Sequence, residues 1–109
     1  MRGKIVLIHF PFTDLSAAKL RPALVIHESD KDVVVAFISS KVTKYILDSD
    51  LLIPSTHPSF SGTGLKVASV IKFDKVATIA KDLIEGEIGT IDRQLEEECN
   101  SKLSRIFSF

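Results

Sequence analysis

Two apolar, largely β-branched runs separated by a short polar turn constrain this chain more than any other feature. Ala23-Leu24-Val25-Ile26-His27 reads as a buried strand, Ser29-Asp30-Lys31 as a tight turn, and Val33-Val34-Val35-Ala36-Phe37-Ile38 as the antiparallel partner. Hairpin geometry sets the start of the first strand against the end of the second. Arg21 stands at that start and Ser39 at that end, so the sequence predicts that a guanidinium and a hydroxyl come together. Pro22 fixes its own φ and biases Arg21 towards extended geometry, which offers the cation at a strand entrance. A planar cation beside a hydroxyl suits the oxygens of a phosphodiester.

The rest of the chain reads as more strands and then a helix. Ile5 to Phe10 is a first strand; its apolar stretch stops at Pro11 without a small-residue cleavage site, so it is not a signal peptide. Residues 11–19 form a loop longer than a hairpin turn. Leu51-Leu52-Ile53 is a short strand stopped by Pro54, and Pro54 to Gly64 reads as an exposed loop rich in Pro, Ser, Thr and Gly. Val67 to Phe73 and Val76 to Ile79 read as two further strands, with Gly86 and Gly89 bracketing a turn. Ile91, Leu95, Cys99, Leu103 and Ile106 recur at helical spacing, with Thr90 or Asp92 as cap, acids early and Lys102 and Arg105 late.

At 109 residues the chain holds one core, and 45% hydrophobic with 26% charged residues describes an ordinary globule. No apolar run reaches membrane-spanning length. The lone Cys99 forms no intramolecular disulfide and lies on the apolar helix face, which suits a reducing cytoplasm. A formal net charge of +0 excludes a general nucleic-acid coat, so any phosphate contact is local. Lys19 and Arg21 before the second strand, Lys41 and Lys44 after the third, and Lys66, Lys72 and Lys75 around the later one supply a basic cleft if strand ends converge. The other reading is a set of scattered, solvated lysines.

Several stretches, in order, resemble the MazF/PemK family of toxin-antitoxin ribonucleases. Arg2-Gly3-Lys4-Ile5-Val6-Leu7-Ile8-His9-Phe10 is similar to the family's "RGDIVLVDF" strand, and Leu20-Arg21-Pro22-Ala23-Leu24-Val25-Ile26 to its "RRPALVL" signature. Val35-Ala36-Phe37-Ile38-Ser39-Ser40-Lys41 is similar to the stretch that ends in Thr or Ser. Gly64-Leu65-Lys66-Val67-Ala68-Ser69-Val70-Ile71-Lys72-Phe73-Asp74-Lys75-Val76 resembles "GL..SVVR.DK". The resemblance implies one domain over residues 1–109, mostly β with α: a small antiparallel, SH3-like β-barrel of the MazF/CcdB type with a C-terminal helix. It also implies a homodimer, a partly disordered acidic antitoxin, single-stranded mRNA as substrate, and neither cofactor nor membrane.

The implied chemistry is attack by a ribose 2′-hydroxyl on its adjacent phosphate, which needs proton removal, charge stabilisation and leaving-group protonation but no metal. Arg21 corresponds to the family's catalytic arginine and Ser39 to its catalytic Thr or Ser. As plain structure, Arg21 is a surface ion-pair residue and Ser39 a strand-end hydroxyl bonded to local backbone. Lys72 and Asp74 match an Arg-x-Asp pair that some PemK/Kid-type members use as acid and base, although lysine lacks the bidentate fork. Strand alternation puts both on one face, where a plain exposed ion pair is the competing reading. Ser16 stands where several members carry a glutamate, and Asp14 is the nearest carboxylate. Lys19, Ser40 and Lys41, with Asp14 and Ser16, complete the expected RNA-contacting set.

His9, His27 and His57 show no paired-ligand spacing, so no metal site is expected, and His57 in the Pro-Ser-Thr loop is read as touching RNA bases or as solvated. Two other classes compete with the ribonuclease. One is a gyrase-binding toxin of the CcdB type, relying on the apolar end Ile106, Phe107 and Phe109; the other is an inactive barrel serving as a binding module.

Overall fold

The expected hairpin forms as β2 (Leu20–Glu28) and β3 (Asp32–Ser39), paired from Ala23↔Phe37 onward. The computed structural model describes residues 1–9, 19–45 and 47–109. Ser29 closes the turn, its N–H and its hydroxyl both donating to the Asp32 carbonyl at 2.9 and 3.2 Å. The remaining elements are β1 (Lys4–His9), β4 (Asp50–Ile53), β5 (Ser69–Ala80), β6 (Ile84–Thr90) and α1 (Arg93–Ile106). All strand pairs are antiparallel, in the order β4-β5-β3-β2-β1-β6.

Both faces of the sheet are apolar, which is why the central strands read as nearly continuous hydrophobic runs. One face carries Ile5, Leu24, Ala36, Ile71 and Phe73 and packs against Leu95 and Cys99 of α1. Asp92 caps that helix, its Oδ1 accepting the Leu95 N–H at 3.0 Å, and Glu96 near the start and Arg105 near the end suit the helix dipole. The other face carries Val6, Ala23, Val25 and Val35. Ile79 of β5, next to one edge of the strand order, and Ile84 of β6, at the other edge, both pack onto it. The sheet is therefore curled around this second cluster.

The mostly β fold with a C-terminal helix is the expected one, and among the described residues its curled sheet is open, with β4 and β6 ending the order. Three local expectations are corrected, the first of them at β6. In place of a strand, β6 meets the 3₁₀ turn Ser61–Thr63. A Cβ on Gly89 would lie 2.3 Å from the Thr63 carbonyl, and one on Gly64, whose φ is +73°, would lie 1.9 Å from the Ile88 oxygen. Gly86 and Gly89 thus lie inside β6, not around a turn, and Gly89 marks a close backbone approach. Second, the Pro54–Gly64 connection is not simply exposed, because Ser59 and Thr63 are buried and Phe60 packs on the helix-side core. Third, the two strands expected between Val67 and Ile79 are one. Its pairing jumps from Ala36↔Val76 to Phe37↔Lys72 and leaves Phe73, Asp74 and Lys75 as a bulge. The bulge is anchored, since Phe73 is buried and its N–H donates to the Ser49 carbonyl at 3.1 Å.

Candidate functional site

Strand register decides which candidate side chains share a surface. Ala23 opposes Phe37, and Phe37 opposes Lys72, which opposes Asp50. Directly paired residues point the same way and so do residues two apart on one strand. Arg21 is two from Ala23 and Ser39 is two from Phe37, so Arg21, Ser39 and Lys72 share the sheet face opposite α1. Continuing the β2–β3 register from Ala23↔Phe37 sets Arg21 opposite Ser39. These residues occupy the same end of neighbouring strands β2, β3 and β5.

Arg21, Lys19, Ser40 and Lys41 are exposed. Among the described residues, Arg21, Lys19 and Lys41 form no ion pair, so their charge is offered to solvent. The Ser39 hydroxyl oxygen accepts the Lys41 N–H at 3.1 Å. That local bond uses one acceptor site and leaves the O–H hydrogen able to donate to an incoming oxygen. Asp14 and Ser16 lie outside the described residues.

Lys72 and Asp74 part company. Lys72 Nζ lies 2.7 Å from Asp50 Oδ2, with the two side chains 13% and 0% exposed, while Asp74 is exposed on the bulge and forms no ion pair with a described residue. The exposed Lys72–Asp74 pair weighed from alternation is thus replaced by a buried Lys72–Asp50 pair. Sequence reasoning missed Asp50. In Asp48-Ser49-Asp50 nothing local distinguishes the acid that opens β4 from the one before it; only the register against β5 does.

Two of the three histidines are paired with glutamates. His57, read as a base contact or a solvated residue, is held by Glu98 of α1 and is largely buried. His9 lies 3.4 Å from Glu85, and His27 is exposed. Among the described residues no three His, Cys, Asp or Glu side chains gather as a metal-ligand set, and no helix is long and apolar enough to cross a membrane. Burial, then Glu98 and Glu96, pushes the Cys99 thiol up to about 12, so it behaves as a small core hydrophobe. A cavity of about 410 Å³ beside Cys99 lies on the α1 side, away from Arg21 and Ser39.

A curled antiparallel sheet with one C-terminal helix packed on one face defines the fold class. The family model described as PemK-like, MazF-like toxin of type II toxin-antitoxin system matches residues 1–107, and the chain belongs to that family. Among solved structures, the Mycobacterium tuberculosis toxin MazF-mt6 is similar at 19% identity and a TM-score of 0.74, with 97% of each chain covered. An endoribonuclease in complex with its cognate antitoxin, from Mycobacterial species, is similar at 15% identity and a TM-score of 0.70, covering 95% of this chain and 90% of that one. A toxin described as from Mtb matches at 22% identity and a TM-score of 0.67 over 93% and 99% of the two chains. At such identities the likeness establishes the fold. No curated protein matches the sequence significantly.

Proposed function

We propose that this toxin is a metal-independent endoribonuclease that cuts single-stranded RNA, most directly mRNA, at a short sequence. The observation that carries the reading is the gathering of Arg21, Ser39 and Lys72 on one face at one end of β2, β3 and β5. Family membership and the fold shared with an endoribonuclease support it. In this reaction a ribose 2′-oxygen loses its proton and bonds to the adjacent phosphorus, the bond from phosphorus to the 5′-oxygen breaks, and that oxygen takes a proton from water, leaving a cyclic phosphate and a 5′-hydroxyl end. Arg21 holds the non-bridging oxygens with a charge-assisted fork, and Ser39 donates its hydroxyl to one of them. Asp74, exposed on the bulge beside Lys72, is the carboxylate among the described residues that takes the 2′-proton. Lys19, Ser40 and Lys41 flank the face and hold neighbouring phosphates.

The protein acts in the cytoplasm as a homodimer, and an acidic antitoxin silences it by covering the cationic face. The relative solved with its cognate antitoxin supports such a partner. Purified protein is expected to cut a long single-stranded RNA in excess EDTA and to leave duplex DNA intact, with a 2′-deoxy nucleotide at the cleaved position abolishing the cut. Strict dependence on added magnesium would overturn the mechanism. Binding to gyrase without RNA cleavage would replace it with the CcdB-type reading.

A further inference from the structure

Asp50 is a fully buried carboxylate in an otherwise apolar edge strand, Asp50–Ile53. Taking a charge out of water is costly, and packed hydrophobic residues commonly do at least as well at such a position. Fold stability alone therefore gives a poor account of it. Its Oδ2 lies 2.7 Å from Lys72 Nζ, and Ser49 Oγ donates to Oδ1 at 3.3 Å. Lys72 sits directly across the ladder from Asp50 on one side and from Phe37 on the other. Phe37 is two residues from Ser39, so the pair borders the proposed phosphate site.

A lysine ammonium is a compact charge on a flexible stem, without the rigid fork that orients an arginine. Held by nothing, it samples many positions around a bound phosphate. One carboxylate oxygen engages one of its three donors and leaves the others for a second anion. We infer that Asp50 is a positioning residue, which holds the Lys72 ammonium from the β4 side on the sheet face that also carries Ser39, so that the scissile phosphate meets a cation already in place. The pairing also keeps Lys72 away from Asp74, whose carboxylate is left for proton transfer. This role rests on the ribonuclease reading.

The test is a double-mutant cycle in the full chain, read as kcat and KM on a single-stranded RNA oligonucleotide, below the melting transition of every variant. Asp50→Asn is expected to lower kcat by about 10- to 100-fold, the scale of a misplaced catalytic group, with a smaller change in KM. Combined with Lys72→Ala it should add nothing to the loss from Lys72→Ala alone. Ethylammonium at constant ionic strength should restore activity to Lys72→Ala but not to the double variant, because only an intact Asp50 can seat the added cation. A purely structural Asp50 would not produce that difference. Should Asp50→Asn fail to fold, Asp50→Asn with Lys72→Met leaves no unpaired charge and is compared with Lys72→Met, where equal kcat is expected. Losses that multiply in the double variant, or equal rescue with and without Asp50, would overturn the positioning role while wild-type cleavage stands. A wild-type protein that cuts no RNA would remove the ribonuclease reading and this inference with it.

Discussion

His57 ties the connection after β4 to the C-terminal helix: its Nε2 lies 2.8 Å from Glu98 Oε2, and its Nδ1 accepts the Ser59 N–H at 3.0 Å. A backbone amide can only donate, so Nδ1 is unprotonated and Nε2 carries the hydrogen that points at Glu98. Asp92 strengthens the same junction. Its carboxyl is held below its ordinary range first by a hydrogen bond from Ser59 and then by the Leu95 amide.

His57→Ala is therefore expected to lower stability by about 1–3 kcal/mol, the range for a hydrogen bond to a charged partner and its unsatisfied remainder. Glu98→Gln should cost less, because an amide oxygen still accepts. Urea unfolding midpoints measure both. RNA cleavage well below the transition should be unchanged; lost cleavage in a fully folded His57→Ala protein would return the loop to the RNA path.

Glu28 contributes an acid dependence of its own. Lys81, and after it the N-terminal ammonium, hold its carboxyl down at about 2, against an ordinary value of 4.5. A depressed folded value means that this stabilisation is complete above 4.5 and is lost as pH falls from there towards 2. The group is open to solvent, so salt should weaken the effect. Melting temperatures of wild type and Glu28→Gln should diverge above that window and converge below it. Parallel curves throughout would show that the ion pairs contribute nothing.

Gly89 and Gly86 lie in the same strand but face opposite demands. A Cβ at Gly89 meets the Thr63 carbon and oxygen at 2.3 Å, whereas one at Gly86 meets nothing within 4 Å. Gly89→Ala is expected to cost about 3 kcal/mol or more, because backbone cannot move aside as a side chain can. Gly86→Ala should instead stabilise by about 0.5 kcal/mol through the smaller entropy of the unfolded chain. Similar unfolding midpoints for the two variants would contradict the packing of the Ser61–Thr63 turn on β6.

The parts of this fold that were legible in sequence are those governed by local period. The β2–β3 hairpin, the first strand and the α1 face built on Leu95 and Cys99 follow from alternation and helical spacing, and the family resemblance rests on these same segments. The bulge at Phe73–Lys75 was not legible. A polar pair inside an apolar run reads as a break between strands, and only the anchoring of Phe73 in the core keeps β5 continuous. Gly89 misled for a related reason, since glycine at a turn and glycine under a crossing backbone look alike in one dimension. The facing positions of Arg21 and Ser39 follow from the register of one hairpin, but the partner of Lys72 depends on β4, whose alignment on β5 no local pattern encodes.

The division of labour between Ser39 and Asp74 is the last point the site makes testable. Arg21→Ala should reduce cleavage by about 100- to 1000-fold, the scale seen when a donor to a developing oxyanion is removed, with a native melting curve because the side chain is exposed. If Asp74 takes the 2′-proton, Asp74→Asn should lower activity at neutral pH and erase the acidic limb of the pH-rate profile, since an amide cannot accept the proton. Ser39→Ala should then be milder, removing one neutral hydrogen bond to phosphate. Because Lys72 is seated on Asp50, Asp74→Asn leaves that cation in place, so its effect reports on the carboxylate alone. A larger loss in Ser39→Ala than in Asp74→Asn, with the acidic limb retained, would make phosphate orientation by Ser39 and Arg21 the main catalytic device. Wild-type rates in both variants would take Ser39 and Asp74 out of the reaction and leave Arg21 to work with another partner.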